Sequence, residues 1–465
     1  MSDMIEDQPG SAVPSTLKQA GAMRFWLAAL LTGIGAGLCA AILAQLLNMV
    51  QYWAWPDANN NLLSAAAHSS NWHHIGMLVL AGALIGIGQL VLVRLPSGNS
   101  IDITEAIWFS SGRLPALRTF CSAVLSTVIV ALGASLGREG APKQTGAVIA
   151  NLLCDRGRLS DEQRRLLVAC GAGAGMAAAY GVPLGGAVFA LEVLRGELAL
   201  RFVLPALLAS FAATAVSWIA IPNAPTYVIQ ASTNSAPMML WALLIGPIAG
   251  LVSVAYVRAI AWAVRNKPEG WKRLVAPSLA LGLVGVVSIE FPQVLGNGKA
   301  LTQLAFLGQV PLGLLATLLL LRPLATILCV GSGAPGGLFT PTLTIGAMLG
   351  GILGYAWSLL FPGEALGLYA LIAAAALLAA TTQGPVSTLI LMIELTGHDR
   401  SFIMPVLLAV VGATMVARTI EFRSIYDARL SDEQVQARQI EREWGRNCAE
   451  PDGHAGGDAA NGSGF

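Results

Sequence analysis

Charge is scarce in this chain. Only 11% of its 465 residues are Asp, Glu, Lys or Arg, well under half the share in a typical soluble domain. That argues against a soluble protein of two or three domains, the usual reading of this length. Net charge is +1, and neither a nucleic-acid partner nor a soluble protein partner is expected. Cysteine offers no framework either: the six (39, 121, 154, 170, 329 and 448) show no C-x-x-C spacing and read as small apolar fillers. The five histidines form no metal-ligand pattern; His73-His74 stand at a membrane edge and His454 in the tail, so no metal site is expected.

What the chain has instead is apolar length. Hydrophobic residues make up 55% and mean hydropathy is +0.66. Long apolar stretches read as transmembrane helices: Phe25–Val50, Gly76–Val93, Phe202–Ile219, Met239–Ala263, Leu274–Ile289, Leu312–Val330, Leu343–Leu360, Leu366–Ala380 and Phe402–Val416. Shorter pieces such as Thr145–Leu153 are expected to be broken or re-entrant helices. No secretory signal precedes the first apolar segment, so that helix is expected to be retained.

Lys and Arg are absent from the loops Gln51–Trp72 and Pro222–Pro237. They are concentrated in Asp155–Arg165, Arg195–Arg201, Arg265–Arg273 and the tail from Arg418. The positive-inside rule places these basic loops and both termini in the cytoplasm, as for a multi-pass protein of the plasma (inner) membrane. Ser160-Asp-Glu-Gln163 and Ser431-Asp-Glu-Gln434 read as capping boxes.

The chain repeats itself. Gly181-Val-Pro183 through Glu192 matches Gln383-Gly-Pro385 through Glu394, each with a glutamate nine residues after a proline. Upstream of each lies a Gly/Pro break, Gly137–Pro142 and Gly331–Gly337. Paired Gly/Pro-interrupted apolar segments mark inverted-repeat transport proteins and point to the binding site. The expected fold is therefore an all-α integral membrane protein of two inverted-topology repeats with broken and re-entrant helices. The repeats occupy residues 23–221 and 238–420. Cytoplasmic segments 1–22 and 421–446 flank them, and a disordered tail, 447–465, follows.

Glu139 is the most informative residue. A carboxylate at membrane depth is expensive and by default marks an ion or proton pathway. Its glycine neighbours let backbone approach closely. Carboxylate and exposed amides together point to a place where a fixed and a mobile anion compete.

Gly137-Arg138-Glu139-Gly140 resembles the GREGP signature of the CLC family of chloride channels and anion/proton exchangers, with Ala141 before Pro142 in place of the proline. Gly336-Gly337-Leu338-Phe339-Thr340-Pro341 is similar to that family's GGxFxP signature, and Ile425-Tyr426 resembles its anion-coordinating tyrosine. The match runs in order from about residue 25 to 430. The resemblance implies a homodimer in the lipid bilayer with a pore in each subunit. It implies anion-binding amides at Leu338 and Phe339, a Tyr426 hydroxyl donor and Glu139 as gate and proton-coupling residue. Chloride is the favoured ion, and no cofactor is implied. Only about 40 residues follow Glu421, so the regulatory domains of many relatives are expected to be missing.

The chain departs from the pattern in four places. GSGIP is degenerate as Pro96-Ser97-Gly98-Asn99-Ser100-Ile101-Asp102, leaving Asn99, Ser100 or Ser97 as the anion donor. Asn99 and Thr340 lean toward the fluoride/proton exchanger branch. Val193 stands where exchangers carry an inner proton-transfer glutamate, and the adjacent Glu192 reads as a buried structural carboxylate. Lys143, four residues after Glu139, could pair with Glu192 or another acid, raise anion concentration at the vestibule, or snorkel to an interface. Channel and exchanger both stay open.

Two rivals remain. Gly133-Ala-Ser135-Leu-Gly137 spells the G-x-S-x-G of serine hydrolases, but no histidine lies in a core membrane segment. A sodium-coupled transporter would require sodium dependence. The chain is not expected to be an enzyme.

Overall fold

The computed structural model describes residues 22–56, 62–95, 101–229, 235–397 and 402–447. The first repeat contains α1 (Ala22–Ala54), α2 (Leu62–Ala67), α3 (Asn71–Arg94), α4 (Ile103–Phe109), α5 (Ala116–Ala131), α6 (Gly140–Gly157), α7 (Asp161–Tyr180), α8 (Pro183–Phe189) and α9 (Leu200–Ser217). A π-helical turn, Ala190–Arg195, continues α8. The second contains α10 (Ala236–Arg265), α11 (Lys272–Glu290), α12 (Lys299–Phe306), α13 (Leu312–Gly331), α14 (Phe339–Leu360), α15 (Leu366–Thr382), α16 (Pro385–Thr396) and α17 (Ile403–Ile420). The described residues through Arg429 form one compact unit. A separate unit holds α18 (Asp432–Asn447), opened by the expected capping box, with the Ser431 and Gln434 amides bonded to each other's side chains at 3.0 and 3.2 Å.

The two halves repeat the same helix pairings, although the short α2 has no counterpart in the second. α6 packs on α7 as α14 packs on α15, and α1 on α9 as α10 on α17. α3 meets α11, and α8 meets α16, across the junction of the halves. The correspondence extends to the backbone. α5 and α13 each end on a left-handed glycine, Gly133 (φ +112) and Gly333 (φ +87). The next amide reaches back in each case, Ala134 to Ile129 O at 3.0 Å and Ala334 to Cys329 O at 3.2 Å. Only a residue without Cβ adopts that conformation cheaply. Pro183 and Pro385 each open the first turn of the helix that follows, where a missing N–H costs nothing.

Among the described residues, eight helices are long and apolar enough to cross a bilayer: α1, α3, α9, α10, α11, α13, α14 and α17. Their outward faces carry exposed Leu, Ile, Val, Trp and Phe side chains, as a lipid-facing surface requires. Thr145–Leu153, expected to belong to a broken or re-entrant helix, lies within the 18-residue α6, which opens at the Gly-rich break and is not among the eight. One expectation needs correction. Leu366–Ala380 becomes α15, 17 residues long and buried along nearly its whole length. These helices and α7 form the interior. Their Ala, Gly and Thr content lets backbones approach closely where no lipid must be faced.

Buried Arg322 of α13 closes a polar gap in the second half. It donates to four successive carbonyls after α11: Gln293 at 3.2 Å, Val294 at 2.5 Å, Leu295 at 3.1 Å and Gly296 at 2.6 Å. These carbonyls would otherwise be buried with few partners. The guanidinium thereby fixes the loop that leads to Lys299.

Candidate functional site

Between the left-handed turns and the helices that follow, the two Gly-rich breaks run antiparallel and touch. Gly137 N donates to Gly337 O at 2.7 Å, and Gly337 N returns the bond to Gly137 O at 3.0 Å. A Cβ on either glycine would collide with the Glu139 carboxyl group, which fills the space beside them. The bridge thus joins the first repeat's signature to the second's around one side chain.

Glu139 precedes the first turn of α6 and is fully buried. Its carboxylate serves the other half of the molecule. Oε1 accepts the Phe339 amide at 2.7 Å, at the N-terminus of α14. Oε2 accepts the Tyr180 hydroxyl at 3.0 Å and the Thr340 hydroxyl at 3.3 Å. A helix N-terminus with its unpaired amides and positive dipole end is a ready anion site, and here a protein carboxylate occupies it. Arg138 turns away: its guanidinium donates to Ala179 O at 3.4 Å and lies 5.2 Å from the centre of the Tyr180 ring.

Cavities lie on both sides of this carboxylate. One, about 60 Å³, is lined by Gly140, Gly336, Gly337, Leu338, Lys143, Gln144 and Tyr426, and by Ile101 to Thr104. The other, about 650 Å³, is lined by Arg138, Lys299 and several side-chain amides. Arg138 lines the larger cavity and Gly140 the smaller, and Glu139, between them in sequence, is fully buried.

Lys143 lies almost wholly buried on the smaller cavity. Its ammonium donates to the Tyr426 hydroxyl at 3.4 Å, and sits 4.5 Å from the Tyr426 ring centre and 5.5 Å from that of Phe189. It does not reach Glu192, which is engaged elsewhere. Glu192 is half-buried and accepts the Val386 and Ser387 amides of α16 at 3.1 and 2.6 Å. Glu394 in turn accepts the Leu184 and Gly185 amides of α8 at 3.0 and 2.6 Å. The structure thus brings together Glu139, Leu338, Phe339, Thr340, Lys143 and Tyr426, and holds Glu192 apart at the helix junction. Asn99 and Ser100 lie outside the described residues; Ile101, next in sequence, lines the smaller cavity.

Tyr180 escaped the sequence reading. Its signal is faint: a single phenol closing the buried Gly/Ala run of α7, directly before Gly181. Asp102 also went unread; it lines the smaller cavity and caps α4 by accepting the Thr104 and Glu105 amides. Ser135 of the G-x-S-x-G pattern is buried against the Thr326 hydroxyl at 3.3 Å. Close packing accounts for that motif.

Comparison with known proteins gives the family and the fold. The family model described as voltage gated chloride channel matches residues 82–418. The chain is similar to the voltage-gated ClC-type chloride channel ClcB of Citrobacter koseri, 32% identical over 414 residues and covering 86% of this chain and 97% of that one. It is 33% identical over 413 residues to the Escherichia coli protein of the same name, with the same shares covered. Among solved structures, a slow cyanobacterial Cl-/H+ antiporter superposes with a TM-score of 0.77 at 23% identity, over 90% of this chain and 99% of that one. A CLC-type fluoride/proton antiporter superposes at 0.71 and 24%, over 88% and 98%. At these identities the two structures establish the fold.

Proposed function

The chain belongs to the voltage-gated chloride channel family, and on that premise we propose that each subunit carries an inorganic anion, chloride first, along a path gated by Glu139. One observation carries the reading: a buried carboxylate sits on the Phe339 amide, with a cavity on either side. Ionised and seated, it occupies the place a dehydrated anion would take. Protonated or swung away, it releases the amides at Leu338 and Phe339 to the anion. Peptide N–H groups replace lost hydration without trapping the ion as a fixed positive charge would. Lys143, beside Tyr426, adds a positive charge to the smaller cavity and so strengthens anion binding there.

Fluoride/proton exchange is a second reading, favoured by the hydroxyls of Tyr180 and Thr340 converging on the same point. A tightly hydrated ion needs such extra donors. The working unit is a homodimer in the plasma (inner) membrane, with both termini and the basic loops cytoplasmic. The repeats 23–221 and 238–420 share the transport work, and no cofactor is required.

Reconstitution into vesicles with simultaneous recording of anion and proton movement tests this. The native protein should move chloride, and exchange would drive protons against their gradient in fixed ratio. Replacing chloride by fluoride separates the two readings. Glu139→Gln should keep anion flux while removing its pH dependence and any proton movement; a variant that keeps the native pH dependence would remove Glu139 from the gate.

A further inference from the structure

The larger cavity is more than an opening. It is lined by two cations, Arg138 and Lys299, and among the described residues that line it none is acidic. Asn48, Gln51, Gln293 and Asn297 add amide donors. At about 650 Å³ it has room for about 20 waters at roughly 30 Å³ each, so an ion can enter it still hydrated. We propose that Arg138 and Lys299 form an anion-binding station in this vestibule, where an inorganic anion is held hydrated before it reaches Glu139. The station rests on the anion-transport reading and adds to it a site on the Arg138 side.

Both cations are placed by the fold. Arg138 is fixed by Ala179 O and the Tyr180 ring. Lys299 opens α12, directly after the loop that Arg322 clamps, and its own amide is bonded to Asn297 Oδ1 at 3.0 Å. No acid pairs with either side chain among the described residues. A cleft of one sign with low-dielectric walls focuses the field and raises local counter-ion concentration and on-rates by about 10- to 1000-fold.

The same surroundings hold Lys299 well below the usual lysine range. Burial first, and then the Arg138 charge, push its ammonium down to about 8. Arg322 stands behind the loop beside Gly298 and adds further positive charge, and the Tyr227 phenol, which also feels Arg138, is pushed up by burial and stays neutral. Lys299 therefore carries its charge below about pH 8 and loses it as the pH of the vestibule rises through that value. Capture should weaken over the same interval.

The test reads vestibule potential without relying on transport. In reconstituted Ala300→Cys protein, with the native protein as blank, an anionic methanethiosulfonate should react about tenfold faster than a cationic one at pH 7 and low salt. Lys299→Gln should cut that preference several-fold, as should raising the pH to 9. Lys299→Arg should keep the preference at both pH values. In flux measurements, Lys299→Gln should raise the half-saturating chloride concentration on the Arg138 side by more than it changes maximal turnover. Equal rates for the two reagents, or a preference untouched by Lys299→Gln, would overturn the station. Absence of any anion flux would sink the transport reading instead, while the reagent ratio still decides the vestibule.

Discussion

Tyr180 and Thr340 hold their hydroxyl oxygens 2.5 Å apart, and both also reach Oε2 of Glu139. Two hydroxyls bring two hydrogens to three contacts, so while the carboxylate is ionised one contact has none. Removing the phenol frees the Thr340 hydrogen for the carboxylate. Tyr180→Phe should therefore cost the seat only the low end of the about 1.5–3 kcal/mol of a hydrogen bond to a charged group. Tyr180→Phe with Thr340→Val should cost the whole, a tenfold or larger shift toward the unseated gate. Anion flux at neutral pH reads the difference. Equal flux in the single and double variants would remove Thr340 from the seat.

Gly337→Ala tests the seat sterically. A methyl there would occupy the space of the carboxyl group, while the backbone bridge to Gly137 needs no side chain. The expected outcome is a displaced carboxylate with flux less dependent on pH, accompanied by a lower melting temperature in detergent. Retention of native pH dependence in a folded Gly337→Ala protein would contradict the packing.

Lys143→Met should weaken anion binding from the side of the smaller cavity. The ammonium is buried between two aromatic rings, a contact worth about 2 kcal/mol or more when desolvated. Half-saturating chloride should rise several-fold, and Lys143→Arg should restore much of it. An unaltered concentration dependence would confine Lys143 to packing.

The reciprocal carboxylates Glu192 and Glu394 predict a stability effect. Each accepts two amides at the first turn of the other repeat's helix. Truncation to alanine strands both amides and should cost about 3 kcal/mol, with glutamine costing roughly half because one acceptor survives. Thermal unfolding in detergent measures this, and Glu192→Gln should leave any proton coupling in place.

The sequence exposed some of this and hid the rest for physical reasons. Glu139 was legible because a lone carboxylate among glycines in an apolar chain has few structural explanations. The repeat was legible because first-turn prolines and close backbone approach demand proline and glycine at matching places, as at Pro183, Pro385, Gly137 and Gly337. The innermost α15 was read as a membrane crossing because hydropathy measures preference for lipid; its apolar side chains face other helices instead, and it needs no full spanning length. The crossing of Glu192 to α16 and Glu394 to α8 could not be read: matched glutamates state a symmetry without saying which half each serves. Tyr180 was lost because a single phenol in a small-residue helix looks like filling until its hydroxyl is seen on the Glu139 carboxylate.

The Gly137–Gly337 bridge has a mechanical corollary. The two signatures meet at a seam between two halves of one polypeptide, held by a pair of peptide hydrogen bonds beside the Glu139 side chain. Sliding one half against the other by an ångström or so would break both bonds and carry the Phe339 amide off the carboxylate. Bilayer thickness, which tilts and shifts helices to match their hydrophobic length, thus bears directly on the closure, and vesicles of thinner or thicker lipid should set different resting leaks in the same protein.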